Sequence, residues 1–356
     1  MLFQRTQRKQ IQLDAAKSFP RFSKDAIIGG VWAQNSLSLT RILLSISCAL
    51  IAPAVELPAA SSSPLATRRT VQFEALPLAR SFQNHLLIRA YINGKPALMV
   101  LDTGAPVSAI AINRRSYFGL SSIPGASQIP ARVKINGAFN SMGIAKTLRL
   151  GALTLIDQPM VAVDLSSSTH AAHMTHEPRI DGILGADILF PLEAVLDCQK
   201  QTLILKMDTK RRGGVPGADY RGFRSMPIHV TAGDNLYVDG KVNGSPAQLM
   251  VDTGAFATLL HRPFVRRMKI PMHETQFSSS GVNIGRDGVQ VALIKRLSVG
   301  TFEIRGKEVG VIDLEGLIHG GMLQATPPVA GLLGSEILQR HHGIIDFGTR
   351  TLYLKD

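Results

Sequence analysis

The sequence predicts an all-β protein of two similar lobes, and three observations carry that expectation. The chain repeats itself, its runs read as short strands, and its turn residues fall between them. Residues 92–105 read INGKPALMVLDTGA and residues 242–255 read VNGSPAQLMVDTGA, an offset of 150 with no gap. Later blocks answer each other at an offset of 149. Gly182-Ile-Leu-Gly-Ala-Asp-Ile-Leu189 matches Gly331-Leu-Leu-Gly-Ser-Glu-Ile-Leu338, and Thr202-Leu-Ile-Leu205 matches Thr351-Leu-Tyr-Leu354. One unit of about 130 residues therefore occurs twice in the same order.

Each unit begins with a strand pattern. His85–Ile92 and Asn235–Val242 place β-branched and aromatic residues in partial alternation. Asn93-Gly94 and Asn243-Gly244 follow, a pair that favours the tight turn of a β-hairpin. Ala97–Leu101 and Gln248–Val251 then run apolar into Asp-Thr-Gly. Helical pattern is confined to short pieces: Ala186–Phe190, Ser335–Arg340 and Arg262–Met268. Lys210-Arg-Arg-Gly-Gly-Val-Pro-Gly217 combines charge, Gly and Pro and reads as the link between units.

The chain has 356 residues, enough for two domains, and 45% are hydrophobic, enough for a sizeable core. Two cysteines exclude a disulfide scaffold and a Cys-rich zinc module. The formal charge is +13, but the cations are scattered without aromatic interleaving. That pattern gives no nucleic-acid partner. It suits a solvated basic surface with weak association to an anionic envelope surface. Ile42–Val55 has the length of a signal-peptide core, Arg41 precedes it, and Ala52-Pro-Ala54 and Pro58-Ala-Ala60 offer small-residue cleavage sites. We expect export to the periplasm or beyond, or tethering through this segment. The expected organisation is 1–60 basic segment and signal peptide, 61–80 linker, 81–208 first lobe, 209–224 linker and 225–356 second lobe. Cys198 is then the sole cysteine of the mature chain, read as an unpaired, half-buried thiol. With both units in one chain, a monomer is expected.

The chemistry concentrates on Asp102 and Asp252, each leaving an apolar strand. A carboxylate at such a place is costly unless it is used or satisfied. Gly104 and Gly254 let backbone N–H groups approach the acids, and the hydroxyls of Thr103 and Thr253 can bond to another segment. A pseudo-two-fold axis between the units would bring the two acids together. Two adjacent carboxylates share a proton, so one can take a proton from water while the other donates to a carbonyl oxygen.

Leu101-Asp-Thr-Gly-Ala105 and Val251-Asp-Thr-Gly-Ala255 resemble the active-site loops of aspartic proteases, with Ile183-Leu-Gly185 and Leu332-Leu-Gly334 as the hydrophobic-hydrophobic-Gly element behind each loop. The resemblance covers about residues 81–356 and is nearest to the retropepsin-like group. It implies two acid-protease β-barrels with the active site between them, and an endopeptidase with catalytic Asp102 and Asp252, a polypeptide substrate and no cofactor. It also implies flap hairpins at Val133–Phe139 and Val282–Gly288, with Gly137 and Gly285 over substrate. It sets Arg179–Ile183 and Pro328–Leu332 beside the cleft, with Ile183 and Leu332 facing apolar substrate side chains. Many members carry Ser or Thr directly after Asp-Thr-Gly, where this chain has Ala105 and Ala255, so a mildly acidic optimum is expected.

The alternative is a non-catalytic module that grips extended peptides along a sheet edge. Retention of both acids favours the enzyme. His170, His173 and His176 with Glu177 drift around a helix at their spacing and are read as a polar loop, so no metal is expected.

Overall fold

The computed structural model describes residues 73–122, 134–135, 138–139, 142–206, 220–231, 234–281, 284–319, 323 and 329–356. The leader, the segment 207–219 and Gly137 lie outside the described residues. The compact unit runs from Val71 to Asp356.

Each lobe is built on six strands that close on themselves. In the first they are β1 (Leu86–Ile92), β2 (Lys95–Leu101), β3 (Ala109–Ala111), β4 (Met142–Leu150), β5 (Leu153–Val163) and β6 (Gly182–Leu184). In the second they are β7 (Leu236–Val242), β8 (Ser245–Val251), β9 (Leu259–His261), β10 (Ile284–Val299), β11 (Phe302–Ile312) and β12 (Val329–Leu333). The neighbour order is β1-β2-β6-β3-β5-β4, and pairing of β4 with β1 closes the ring. The second lobe repeats it as β7-β8-β12-β9-β11-β10, closed by β10 on β7. Closure leaves these twelve strands no free edge, which open sheets must protect by other means.

The turns follow from their residues. Asn93 and Gly94 take φ of 49° and 78°, and Asn243 and Gly244 take 50° and 91°. These left-handed values suit Asn and Gly, and their twist matches the flanking strands. Asn93 also works across the barrel. Its Oδ1 accepts from the Thr147 N–H at 3.0 Å, which pins the β1–β2 turn to β4. Asn243 does the same for the Arg296 N–H of β10 at 3.0 Å.

A third sheet joins the lobes. Its order is Phe73–Pro77, Thr202–Lys206, Val195–Asp197, Ile344–Asp346, Thr351–Leu354 and Arg224–Pro227. The first three strands belong to one half and the last three to the other. At its centre Leu196 pairs with Ile345, two residues that are equivalent in the repeat, so the pseudo-two-fold passes through this pair. Both side chains are fully buried, and a single apolar core runs from Leu76 in the first half to Leu354 in the second. Phe73–Arg80 corrects the expected 61–80 linker, since these residues form two strands. The pairing Phe73↔Lys206 to Pro77↔Thr202 gives the reason: the strand covers the edge of the joining sheet.

The short helices fall at Ala186–Leu189, Arg262–Arg267 and Ser335–Arg340. The histidine segment differs from its expectation. Ser166–Met174 is a helix rather than a loop, entered through the Asp164 carboxylate, which accepts from the Ser166 N–H at 2.9 Å. It is nearly polar all round, so periodicity could not reveal it. Cys198 is fully buried rather than half-buried, and burial pushes its thiol up to about 12, which makes it unreactive.

Because one core spans both lobes, the halves should unfold together. Leu196→Ala should cost about 2–5 kcal/mol and leave a single transition. Urea unfolding followed by fluorescence and circular dichroism checks this; two separated transitions would contradict it.

Candidate active site

The apolar strands β2 and β8 carry Asp102 and Asp252 to the axis from opposite sides. Each strand end is held in the same way. The Asp102 N–H donates to the Leu184 carbonyl, and the Asp252 N–H donates to the Leu333 carbonyl, both at 3.0 Å. The following glycine of each β6/β12 element is then tied to the loop: Gly185 N–H donates to Ser108 Oγ at 3.0 Å and Gly334 N–H to Thr258 Oγ1 at 3.1 Å. The next residue closes the loop from behind, with Ala186 N–H on the Ala105 carbonyl and Ser335 N–H on the Ala255 carbonyl.

Thr103 and Thr253 interlock across the axis. Thr103 Oγ1 donates to the Val251 carbonyl at 2.8 Å and accepts from the Thr253 N–H at 3.1 Å. Thr253 Oγ1 donates to the Leu101 carbonyl at 2.8 Å and accepts from the Thr103 N–H at 3.0 Å. Both threonines are buried. Valine would keep the shape but orphan two buried backbone groups, at about 1–3 kcal/mol each.

Gly104 and Gly254 are needed for close approach. A Cβ on Gly104 would stand 2.6 Å from the Asp252 carboxyl carbon, and one on Gly254 would collide with the Asp102 carboxyl. Each carboxyl therefore packs on the opposite loop's glycine. Gly104 N–H donates to Asp102 Oδ1 at 2.8 Å. Asp252 Oδ1 accepts from Gly254 N–H at 2.8 Å and Ala255 N–H at 3.0 Å. The two carboxyls also hydrogen-bond to each other. Both residues stay half-buried as a whole, which leaves solvent access, while the carboxyls themselves are closely surrounded.

That enclosure sets the electrostatics. Burial pushes Asp102 above the usual carboxylate range, against the Gly104 N–H, which favours its charge. Asp252 is pushed well above that range, first by burial and then by the Asp102 charge. One proton is therefore retained by the pair beyond the pH at which isolated carboxyls ionise. Ala105 and Ala255 supply backbone N–H groups to the acids but no side-chain hydroxyl. A pair in this state can accept and donate a proton at one place.

The remaining sequence-derived candidates are distributed more widely. Ile183 of β6 is half-buried against a small apolar cluster with Leu87, Val100 and Val161. Leu332 of β12 is only 2% exposed, in the equivalent cluster with Tyr237, Met250 and Leu259. Gly285 lies near the tip of the hairpin that His273–Gly281 forms with β10. Lys134–Ile135 pairs with Ala138–Phe139 in the first lobe. His170, His173 and His176 are exposed, and Glu177 accepts instead from the Phe82 N–H at 2.6 Å.

Two features escaped sequence reasoning. His85 faces Asp102 and the Gly254 carbonyl. Its place before β1 shows only an ordinary strand start in the sequence. His261, Asp313 and Glu315 converge because β9 and β11 pair in parallel, His261 against Ile312. Here His261 Nδ1 accepts from the Leu314 N–H at 3.1 Å, so in the neutral ring Nε2 carries the proton and faces Glu315 at 3.5 Å. That tautomer points an N–H at Glu315 and leaves no ring nitrogen free to ligate a metal. A cavity of about 370 Å³ lined by Asp187, Phe190, Asp234 and Phe347 lies apart from the two acids.

Two closed barrels meeting at a pair of closely packed aspartates define an acid-protease fold. The aspartyl protease family profile matches residues 88–188 and 238–337, more than half of the chain, and the protein belongs to that family. No curated protein matches it. Among solved structures, the aspartic proteinase from Irpex lacteus is 13% identical with a TM-score of 0.44, covering 80% of this chain and 97% of that one. Basic 7S globulin from soybean is 10% identical with a TM-score of 0.43, covering 80% and 94%.

The charge state of the pair has a consequence for stability. An isolated Asp ionises near 3.9. Raised folded values mean that this contribution is fully present below that pH and is lost as pH rises through the folded values. Asp252→Asn removes the like-charge term, so it should gain stability over the parent at pH 7.5 and differ little at pH 4. Thermal unfolding of both forms at the two pH values measures it; a difference independent of pH would contradict the assignment.

Proposed function

We propose that the protein is an aspartic-type endopeptidase that hydrolyses peptide bonds with a water activated by Asp102 and Asp252. The observation that carries the reading is the enclosed pair itself, held by Thr103 and Thr253, with burial pushing both carboxyls above the usual carboxylate range. The ionised carboxyl takes a proton from water as the oxygen attacks the scissile carbonyl carbon. The protonated carboxyl gives its proton to the carbonyl oxygen. The resulting gem-diol collapses as one carboxyl protonates the amide nitrogen, the other takes a proton from a diol hydroxyl and the C–N bond breaks, which leaves the pair with one proton again. No metal or covalent enzyme intermediate enters these steps.

Substrate enters as an extended segment between the lobes. Ile183 is the favoured contact for an apolar side chain beside the scissile bond, while Leu332 acts from a more buried position behind its neighbours. The hairpin His273–Gly281/β10 is the natural cover on the second-lobe side. A purely peptide-binding module would have no use for two repelling, desolvated acids.

Cleavage of a peptide library by the full chain tests the reading. Cleavage should peak at mildly acidic pH with apolar residues at the bond, and Asp102→Asn or Asp252→Asn should lower kcat/KM by at least about 10²–10⁴-fold. Turnover unaffected by either substitution would reject the mechanism.

Export is part of the same proposal, motivated by the Ile42–Val55 core and the small residues after it. Amino-terminal sequencing of protein from an envelope fraction should give a start near Pro53–Ala60. Recovery of the uncleaved chain in the cytoplasmic fraction would count against export.

A further inference from the structure

The cavity of about 370 Å³ has a counterpart in the other half of the repeat, and the two places compare residue by residue. Arg80 and Val230 stand 150 residues apart, in the short strands Ala79–Arg80 and His229–Val230 that pair with β1 and β7. Asn84 and Asp234 follow at the same offset, both with left-handed backbone, φ of 65° and 59°. Cys198 and Phe347 stand 149 apart, directly after the two central strands of the joining sheet. The backbone frame around them is the same. Leu78 N–H donates to the Gln201 carbonyl and Ile228 N–H to the Arg350 carbonyl, both at 2.8 Å. Cys198 N–H donates to the Gly343 carbonyl and Phe347 N–H to the Ala194 carbonyl, both at 2.9 Å. The side chains differ.

In the first half Arg80 fills this frame. One guanidinium nitrogen donates to the Asn84 carbonyl at 3.1 Å and to Asn84 Oδ1 at 2.7 Å, and the other terminal nitrogen donates to the Cys198 carbonyl. In the second half Val230 stands at the place of Arg80, and its short side chain lines the cavity. Phe347 lines it at the place of Cys198, and Asp234 brings a carboxylate where the first half has the Asn84 amide. Phe190 and Phe347 meet edge-to-face in this wall with ring centroids 5.0 Å apart, where the first half has Gln339 and Cys198. A planar cation stacks on such rings while its edge donates to carboxylates.

The charges of the wall also call for a cation. Its third acid, Glu193, is held by Lys206 Nζ, which leaves Asp187 and Asp234 against the exposed Arg350. Asp187 Oδ1 accepts from Ser108 Oγ at 2.7 Å, and among the described residues no cation pairs with it. Its counterpart Glu336 has Lys307 Nζ at 3.2 Å, and the residue at the place of Lys307 in the first half is Gln158.

We propose that this cavity is a binding site for the guanidinium group of a ligand, which takes in the second half the place that the Arg80 guanidinium takes in the first. The ligand donates to the Asp234 carboxylate and the Phe347 carbonyl, as Arg80 donates to Asn84 and the Cys198 carbonyl. Asp187 supplies a second carboxylate, and Phe190 and Phe347 supply the apolar faces. The volume falls within the range of about 300–1,000 Å³ of small-molecule pockets, so the ligand carries more than the guanidinium itself. Two sources share that chemistry: free arginine, whose carboxylate Arg350 can meet, and an arginine side chain of a polypeptide. The site uses neither Asp102 nor Asp252, so it stands independently of the peptidase reading.

The probe is N-ethylguanidinium, titrated into the full chain and followed by calorimetry and NMR. It should shift the Val230 methyl resonances and the Phe190 and Phe347 ring resonances to saturation. N-ethylurea keeps the shape without the charge, and tetramethylammonium keeps the charge without donors. Each should bind at least about tenfold more weakly, because charge-assisted hydrogen bonds are the stronger ones. Val230→Arg installs the other half's own residue and should remove the saturable shifts. Asp234→Asn should weaken binding by about tenfold or more, the loss of a hydrogen bond to a charged group. Asp234 is exposed and its left-handed backbone suits Asn, so this variant and the probe series keep the test open if Val230→Arg does not fold. Free arginine and the peptide acetyl-Gly-Arg-Gly-amide separate the two sources. Tighter binding of arginine assigns the site to the free amino acid, and tighter binding of the peptide assigns it to a polypeptide side chain. Equal binding of N-ethylurea or tetramethylammonium, shifts that avoid Val230, Phe190 and Phe347, or binding undiminished in either variant overturns the proposal.

Discussion

Everything in the site depends on bringing two acids together that repel each other and resist burial. The interlock of Thr103 and Thr253 makes this achievable. Its four hydrogen bonds, all of 2.8–3.1 Å, link each loop to the other lobe's chain through side chain and backbone at once. A bond of this kind, buried and reciprocal, is costly to open because each donor and acceptor would be left without water. The backbone N–H groups of Gly104, Gly254 and Ala255 then supply the local positive field that the carboxyls lack.

The rest of the fold serves that junction. The six-stranded sheet beneath it is continuous through the Leu196–Ile345 pair, so the lobes share one core and one orientation. The hydrophobic-hydrophobic-Gly elements back the loops, and a Cβ at Gly185 or Gly334 would strike the loop backbone. Loops that would otherwise be mobile are thereby set on a rigid base, as a preorganised site requires.

Symmetry governs the scaffold and is broken where chemistry or packing needs it. Arg80 bonds Asn84 and the Cys198 carbonyl on one side, while its equivalent Val230 lines a cavity on the other. His85 and Asn235 hold equivalent positions with different side chains. The pair itself is uneven, since Asp252 Oδ1 accepts from the Gly254 and Ala255 N–H groups and Asp102 Oδ1 from the Gly104 N–H.

The sequence by itself determined the two-fold repeat, the β class, the Asn-Gly hairpins and the identity of Asp102 and Asp252. These are local or periodic properties: turn geometry depends on two residues, strand patterning on a few, and a duplicated block needs no third dimension to be seen. Tertiary structure alone decided the rest. The strand at Phe73–Pro77 exists because a sheet edge needed covering, and the helix at Ser166–Met174 carries no apolar face to announce it. Leu332 is buried by neighbours from β7, β8 and β9 that lie far from it in sequence. His85 and Asp102 lie 17 residues apart, His261 and Glu315 lie 54 apart, and neither spacing follows a helix or strand period. Only barrel closure and strand pairing bring such groups to one place, because electrostatic coupling depends on distance through space and on the solvent removed between charges.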